Sequence, residues 1–186
     1  MDDNLKALIR STGVSPRHIN AKLKDFDFKV DLNSENGIFI TGPVGTGKTH
    51  LASAITKNFI HQHLKESKGF IEPPKLPVLI SYPELLFDIK KTYDVNNTQT
   101  EEQVLSKYLN CPVLALDDIG SEKISEWSIQ LLSFLINWRY LKMKKTFISS
   151  NLSLKEISEQ LDDRIASRIN QMCDVLKLTG KDKRVK

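Results

Sequence analysis

One eight-residue run constrains this chain more than any other. Gly42-Pro43-Val44-Gly45-Thr46-Gly47-Lys48-Thr49 fits the pattern G-x-x-x-x-G-K-[ST] in full. Such a run works only between a strand that delivers it and a helix whose positive dipole end points at the same anion. Both flanks are legible. Gly37–Thr41 (GIFIT) reads as a short apolar strand. From residue 48 to about residue 65, Leu51, Ala52, Ile55 and Phe59 recur at helical spacing. The glycines permit backbone angles closed to other residues and let amide groups close on phosphate oxygens. Lys48 sets a cation against the outer phosphates, and Thr49 offers a hydroxyl to magnesium. The expected nucleotide contacts are Gly42, Pro43, Val44, Gly45, Thr46, Gly47, Lys48, Thr49 and the adjoining His50, with ATP and Mg2+ as cofactors.

The rest of the chain alternates in the same manner. Strands are expected at 78–82, 113–116, 146–150 and 175–178. Helices are expected at 84–93, 101–109, 125–142, 154–161 and 163–172. Residues 1–36 read as an N-terminal extension of helix-like and loop-like pieces, broken at Pro16 and in the run 33–37, and residues 37–186 as the core. Alternating strands and helices predict an α/β fold with a parallel sheet covered on both faces. Ligands of such sheets sit beyond the carboxyl ends of the strands. A second motif falls at that edge: residues 111–120 read CPVLALDDIG. Asp117 is placed to hold magnesium, usually through water, and Asp118 to polarise an attacking water. A further strand lies between the two motifs, which suits motor-type ATPases.

Other classes are argued against. The length of 186 residues suits one domain, and 40% hydrophobic with 27% charged residues is ordinary for a globular chain. A formal net charge of +4 permits nucleic-acid contact without requiring it. Cys111 and Cys173 lack metal-site or disulfide-framework spacing. His61 and His63, two apart on an expected helix, point to different faces and read as surface residues. The start MDDNLKALIRSTG has no apolar core of a signal peptide. The most apolar stretch, 129–138, contains Gln130, Ser133 and Asn137 and is too short to span a bilayer. The chain reads as a soluble cytoplasmic protein with no membrane partner.

From residue 14 to 186 the chain resembles the AAA+ ATPases of the DnaC and DnaI helicase-loader type and the related IstB transposition helper. The segments that carry the resemblance are GPVGTGKTHLASAI, VLALDDIG, INWRYLKMKKTFISSNLSLKEI and LDDRIASRI, with the lead-in VSPRHINAKLKDFDF. It implies an α/β P-loop NTPase of the AAA+, ASCE type: a central parallel sheet flanked by helices, with no separate helical lid domain. It implies that Asn151 serves as sensor 1; from the residues alone, Asn151 could equally cap or turn the chain before LSLKEI. It implies that Arg168 is an arginine finger reaching the ATP of a neighbouring subunit, with Arg164 the alternative four residues earlier. The plainer alternative is that both pair with Glu159, Asp162 or Asp163. Arg184 loosely matches sensor 2, or belongs to a solvated basic tail.

The implied function is an ATPase, slow and stimulated by assembly or DNA, forming an ATP-dependent homo-oligomer on single-stranded DNA. It would assist loading or remodelling of a replicative DnaB-type helicase. Alternatives are an IstB-like helper of a transposase, a P-loop small-molecule kinase, and a regulatory module that holds ATP without turnover. Two departures from the family pattern stand out. Asp118 occupies a position where many AAA+ proteins carry Glu, and only some 13 residues precede the lead-in, where helicase loaders carry an added domain. Candidate DNA contacts are Tyr82, Phe87, Lys90, Lys91 and Tyr93, a mixture of rings and cations. Residue by residue the favoured reading is packing: Leu86 and Phe87 in the core, the lysines solvated, and Trp127, Phe134 and Trp138 packing one side of an amphipathic helix.

Overall fold

The computed structural model describes residues 3–67 and 76–180. After a first helix α1 (Asp3–Ser11) and short 3-10 turns at Pro16–His18 and Leu23–Asp25, strands and helices alternate. The strands are β1 (Gly37–Thr41), β2 (Val78–Ser81), β3 (Val113–Ile119), β4 (Lys145–Ser150) and β5 (Cys173–Lys177). The helices are α2 (Lys48–Glu66), α3 (Tyr82–Lys91), α4 (Glu101–Asn110), α5 (Glu126–Leu141), α6 (Leu154–Gln160) and α7 (Asp163–Met172). Among the described residues, five parallel strands form one sheet in the order β2-β3-β4-β1-β5.

Side chains alternate across each strand, so the sheet has two apolar faces. Ile38, Ile40, Ala115 and Phe147 join Leu51 and Ile55 of α2 on one face. Phe39, Leu114, Leu116 and Ile148 join Leu132, Leu135 and Ile136 of α5 and Ile165 and Ile169 of α7 on the other. The first face also takes in the extension: Ile9, Val14 and Ile19 are buried in the same cluster as β1 and α2. Backbone and lysine contacts hold it there. The Leu79 N–H donates to the Thr12 carbonyl at 2.7 Å. Buried Lys57 donates to the Ile19 and Ala21 carbonyls, and Lys145 to those of Leu32 and Ser34.

Element boundaries differ from expectation for local reasons. The second strand stops at Ser81, because the Ser81 hydroxyl accepts from the Glu84 N–H and Pro83 fits the first turn of a helix. Tyr82 thereby starts α3, and its hydroxyl donates to the Ser128 carbonyl from a fully buried position. Tyr82 therefore cannot stack on a nucleic-acid base. Phe87, expected in the core, is 60% exposed, with Lys91 over its ring, while Leu86 beside it is buried. Trp127 and Trp138 pack against the core as expected, but Phe134 is 48% exposed. The third strand runs on to Ile119, and the last begins at Cys173.

Arg139 is the largest fully buried side chain and carries a charge into the core. Its guanidinium donates to the carbonyls of Tyr108 (2.7 Å), Cys111 (3.2 Å) and Lys145 (2.8 Å) and to the Thr146 hydroxyl (2.9 Å). It thus satisfies carbonyls that the end of α4 leaves without helical partners and ties that end to β4. Arg139→Ala should lower the unfolding free energy by about 3 kcal/mol or more, because carbonyls and a cavity are left behind. Urea unfolding followed by circular dichroism measures it, and Arg139→Lys should recover only part of the loss.

Candidate functional site

The carboxyl ends of β1, β4 and β3 stand level: Thr41 is in register with Ser150, and Ser150 with Ile119. The glycine-rich run leaves β1 there and wraps the start of α2. Gly42 adopts φ 152°, and a Cβ on it would lie 2.2 Å from the Leu178 carbonyl oxygen, so only glycine fits between the loop and the residue that follows β5. Gly47 caps α2 at φ 98°, a left-handed angle that aims the first amides of the helix into the loop. Thr46 is buried and its hydroxyl donates to the Pro43 carbonyl, which closes the loop on itself. Val44 stands out at 54% exposure.

Lys48 is buried at the centre. Its Nζ donates to the carbonyls of Gly42 (2.7 Å) and Pro43 (2.9 Å) and to Asn151 Oδ1 (2.7 Å). Asn151 in turn donates from Nδ2 to Asp118 Oδ1 at 3.3 Å. The structure thus brings Lys48, Asn151 and Asp118, from three separate segments, into one chain of hydrogen bonds.

Neighbouring residues of a strand point to opposite sides, yet both aspartates are needed at one edge. The backbone resolves this. The β3–β4 register shifts between Leu116 and Ile119, and Asp118 adopts φ 60°. A left-handed angle on a non-glycine residue costs of order 1 kcal/mol and persists where its surroundings hold it. Ser149 on β4 does the holding: its hydroxyl donates to Asp117 Oδ1 and accepts the Asp118 N–H at 3.0 Å. The Ser150 hydroxyl adds a bond to the Ile119 carbonyl at 2.7 Å. Burial pushes the Asp117 carboxyl up from its ordinary value, while hydrogen bonds from Ser149 and Thr49 pull it back down. Thr49 and Asp117 place a hydroxyl and a carboxylate side by side beside the phosphate loop, hard oxygen donors of the kind that could hold a magnesium ion.

The cleft in front of these residues has a volume of about 780 Å³. Gly45, Gly47, Lys48, Thr49, His50, Asp118 and Asn151 line it, and so do Arg17, His18, Asp25 and Phe26 of the lead-in. His50 and Asp25 pair at 2.8 Å, and the rings of His18 and Phe26 both lie 5.8 Å from that of His50. That hydrogen bond holds the Asp25 carboxyl below its ordinary value, and burial does the same to the His18 imidazole. Sequence reasoning singled out neither these four lead-in residues nor Ser149. The lead-in carries the only sequence signal: its ring and charge content in HINAKLKDFDF.

Arg168 is not on this cleft. It lies in a groove of about 380 Å³ between α5 and α7, with Arg164. Its Nε donates to Asn137 Oδ1 at 3.2 Å, and its guanidinium carbon is 4.7 Å from the Tyr140 ring centre. Among the described residues neither arginine forms an ion pair with Glu159, Asp162 or Asp163. Arg184 lies outside the described residues.

Fold and site together define a P-loop NTPase of the AAA+ type. The chain belongs to the family of IstB-like ATP-binding proteins, whose model matches residues 9–186. It is similar to the uncharacterised Bacillus subtilis protein YqaM, 32% identical over 155 residues, covering 81% of this chain and 44% of that protein. To the replicative helicase loader DnaC of Buchnera aphidicola it is 28% identical over 146 residues, covering 78% of this chain and 54% of that one. A crystal structure of the DnaC helicase loader matches with a TM-score of 0.69 and 28% identity, over 89% of this chain and 100% of that one. The chain spans about half the length of the curated relatives it matches. Among the described residues no helix is long and apolar enough to cross a membrane.

Ser149→Ala should weaken magnesium affinity about 10–100-fold, the usual cost of losing a residue that orients a metal ligand. A fluorescent ADP titrated with and without Mg2+ measures it. Binding without the metal should change little, because Ser149 does not line the cleft.

Proposed function

We propose that this chain is a magnesium-dependent ATPase that assembles on single-stranded DNA and assists the loading or remodelling of a replicative DnaB-type helicase. The observation that carries the ATPase is the hydrogen-bonded series Lys48, Asn151, Asp118, set at the mouth of the phosphate loop. The helicase-loader reading draws support from the DnaC likeness in sequence and fold.

In this reading Lys48 and the loop amides hold the phosphates, and Thr49 and Asp117 hold magnesium. The metal, when bound, neutralises charge on the outer phosphates. Asp118 faces the cleft and orients the attacking water, accepting its proton as the bond from water to the terminal phosphorus forms and the bond from that phosphorus to the bridging oxygen breaks, releasing ADP and phosphate. Asn151 sits between Asp118 and Lys48 and positions water and outer phosphate relative to each other. Arg168 supplies positive charge to the nucleotide of a second copy, a role supported by its place in a groove separate from its own cleft and by the absence of a carboxylate partner among the described residues. An IstB-like role beside a transposase shares every one of these residues and differs only in the partner; the family match favours keeping it as a second reading.

Turnover and DNA binding test the proposal together. Lys48→Ala should abolish ATP hydrolysis. Asp118→Asn should lower kcat by about 10²–10⁴-fold while ATP still binds. Arg168→Ala should lower kcat by about 10³-fold or more without weakening nucleotide binding to the single chain. Anisotropy of a labelled single-stranded oligonucleotide at fixed salt should rise with an ATP analogue and not with ADP. An Asp118→Asn variant as active as the parent would rule out the assigned base. Oligonucleotide binding indifferent to nucleotide would rule out ATP-dependent assembly on DNA.

A further inference from the structure

The turn that follows β3 bends twice in three residues. Asp118 adopts φ 60° and Gly120 φ 80°, so the chain leaves the sheet edge through two left-handed angles. For a residue with a side chain, such an angle persists only where neighbouring groups hold it. Ser149 holds Asp118 from the β4 side. A second set of contacts comes from the turn itself. The Ser121 hydroxyl donates to the Asp118 carbonyl at 2.8 Å. The Gly120 N–H donates to Glu122 Oε2 at 2.9 Å. Burial and the nearby Asp118 charge push the Glu122 carboxyl up from its ordinary value, while hydrogen bonds from the backbone N–H groups of Glu122 itself, Gly120 and Ser121 pull it back down. Glu122 thus gathers three successive N–H groups onto one carboxylate, the arrangement in which main-chain amides bind anions.

We infer that Glu122 is a positioning residue for hydrolysis: its carboxylate locks the turn after β3, so that Asp118 keeps its left-handed angle and faces the cleft. This role rests on the one proposed for Asp118 as base. Glu122 does not line the cleft, so it acts through the backbone and not on the nucleotide. Two clamps bracket Asp118. Its N–H belongs to the peptide before it and its carbonyl to the peptide after it, and the orientations of those two planes define its φ and ψ. Ser149 ties the first plane through the N–H. Ser121 ties the second through the carbonyl, and Glu122 ties the next peptide through the Gly120 N–H. A carboxylate suits this second clamp because charge-assisted hydrogen bonds are roughly twice as strong as neutral ones. Aspartate is also one methylene shorter than glutamate, so its reach to a water depends more on where the backbone puts it.

A double-mutant cycle with Asp118, read as kcat and KM for ATP hydrolysis, decides it. Glu122→Ala should lower kcat about 10–100-fold and leave KM unchanged. The isosteric Glu122→Gln keeps one oxygen for the Gly120 N–H and should recover about half of that loss on a logarithmic scale. It also keeps the test open should the alanine chain fail to fold. In an Asp118→Asn background either change should slow hydrolysis no further, because a residue that acts only through Asp118 has nothing left to position. Glu122 variants as fast as the parent would overturn the inference. So would a Glu122 change that slows the Asp118→Asn chain by the same factor as it slows the parent, which is what a general loosening of the fold would do. In both cases the base assignment stands. An Asp118→Asn chain as fast as the parent would overturn the base assignment, and this inference with it.

Discussion

The pairing of β3 with β4 is the constraint on which the cleft depends. A strand that ends in two aspartates would ordinarily send them to opposite faces of the sheet. Here Asp117 stays in the buried register opposite Ser81, and Asp118 turns into the cleft through a left-handed backbone angle. Ser149 holds both at once, as donor to one carboxylate and acceptor from the next backbone N–H. Asn151 follows two residues later on the same chain and reaches Asp118 and Lys48. Through the β1–β4 ladder, the same strand fixes where the phosphate loop begins. One strand therefore sets the distance between the cation, the amide and the acids.

The N-terminal extension, lead-in included, is attached by an unusual set of contacts. Lysines hold it through main-chain carbonyls, with Lys57 and Lys145 each bridging two of them. Burial lowers the pKa of both amines, which is the cost of taking a cation out of water, and the carbonyls offset it. The result is positional. The strap carries Arg17, His18 and Phe26 over the amino end of α2, so part of the cleft wall comes from a segment outside the alternating core.

Exposed rings lie on two helices with different electrostatic settings. On α3, Lys91 covers Phe87 and is itself paired with Asp88 at 2.9 Å, while just past the helix the Tyr93 hydroxyl donates to Glu101. Local acids already engage those polar groups, and a polyanion would have to displace them. On α5 and α7 the balance is reversed: Phe134 lines a groove with Arg164 and Arg168, and among the described residues the Arg168 guanidinium meets an amide oxygen and a tyrosine ring. The same kinds of residue thus make a self-neutralised surface in one place and an anion-seeking one in the other.

The phosphate loop was fully legible in the sequence because its chemistry is local: eight consecutive residues, with glycines where φ turns positive and a helix starting at Lys48. Strand and helix types were legible for the same reason, since periodicity is a property of neighbours. Boundaries slipped where a single cap decided them, as at Ser81 before Pro83. Burial of individual rings was not legible. Tyr82 sits in the core and Phe87, five residues on, in solvent, because the rotation of α3 against the sheet chooses the face, and periodicity does not fix that rotation. Ser149 and the four lead-in residues escaped because their roles exist only across the sheet or across the cleft, between segments distant in the chain. The sequence by itself determined the phosphate loop, the alternating α/β pattern and the acidic strand end. Tertiary structure alone decided how two adjacent aspartates share one edge, what lines the cleft beyond the loop, and which aromatic face stays open beside the arginines, because each depends on register and packing between distant segments.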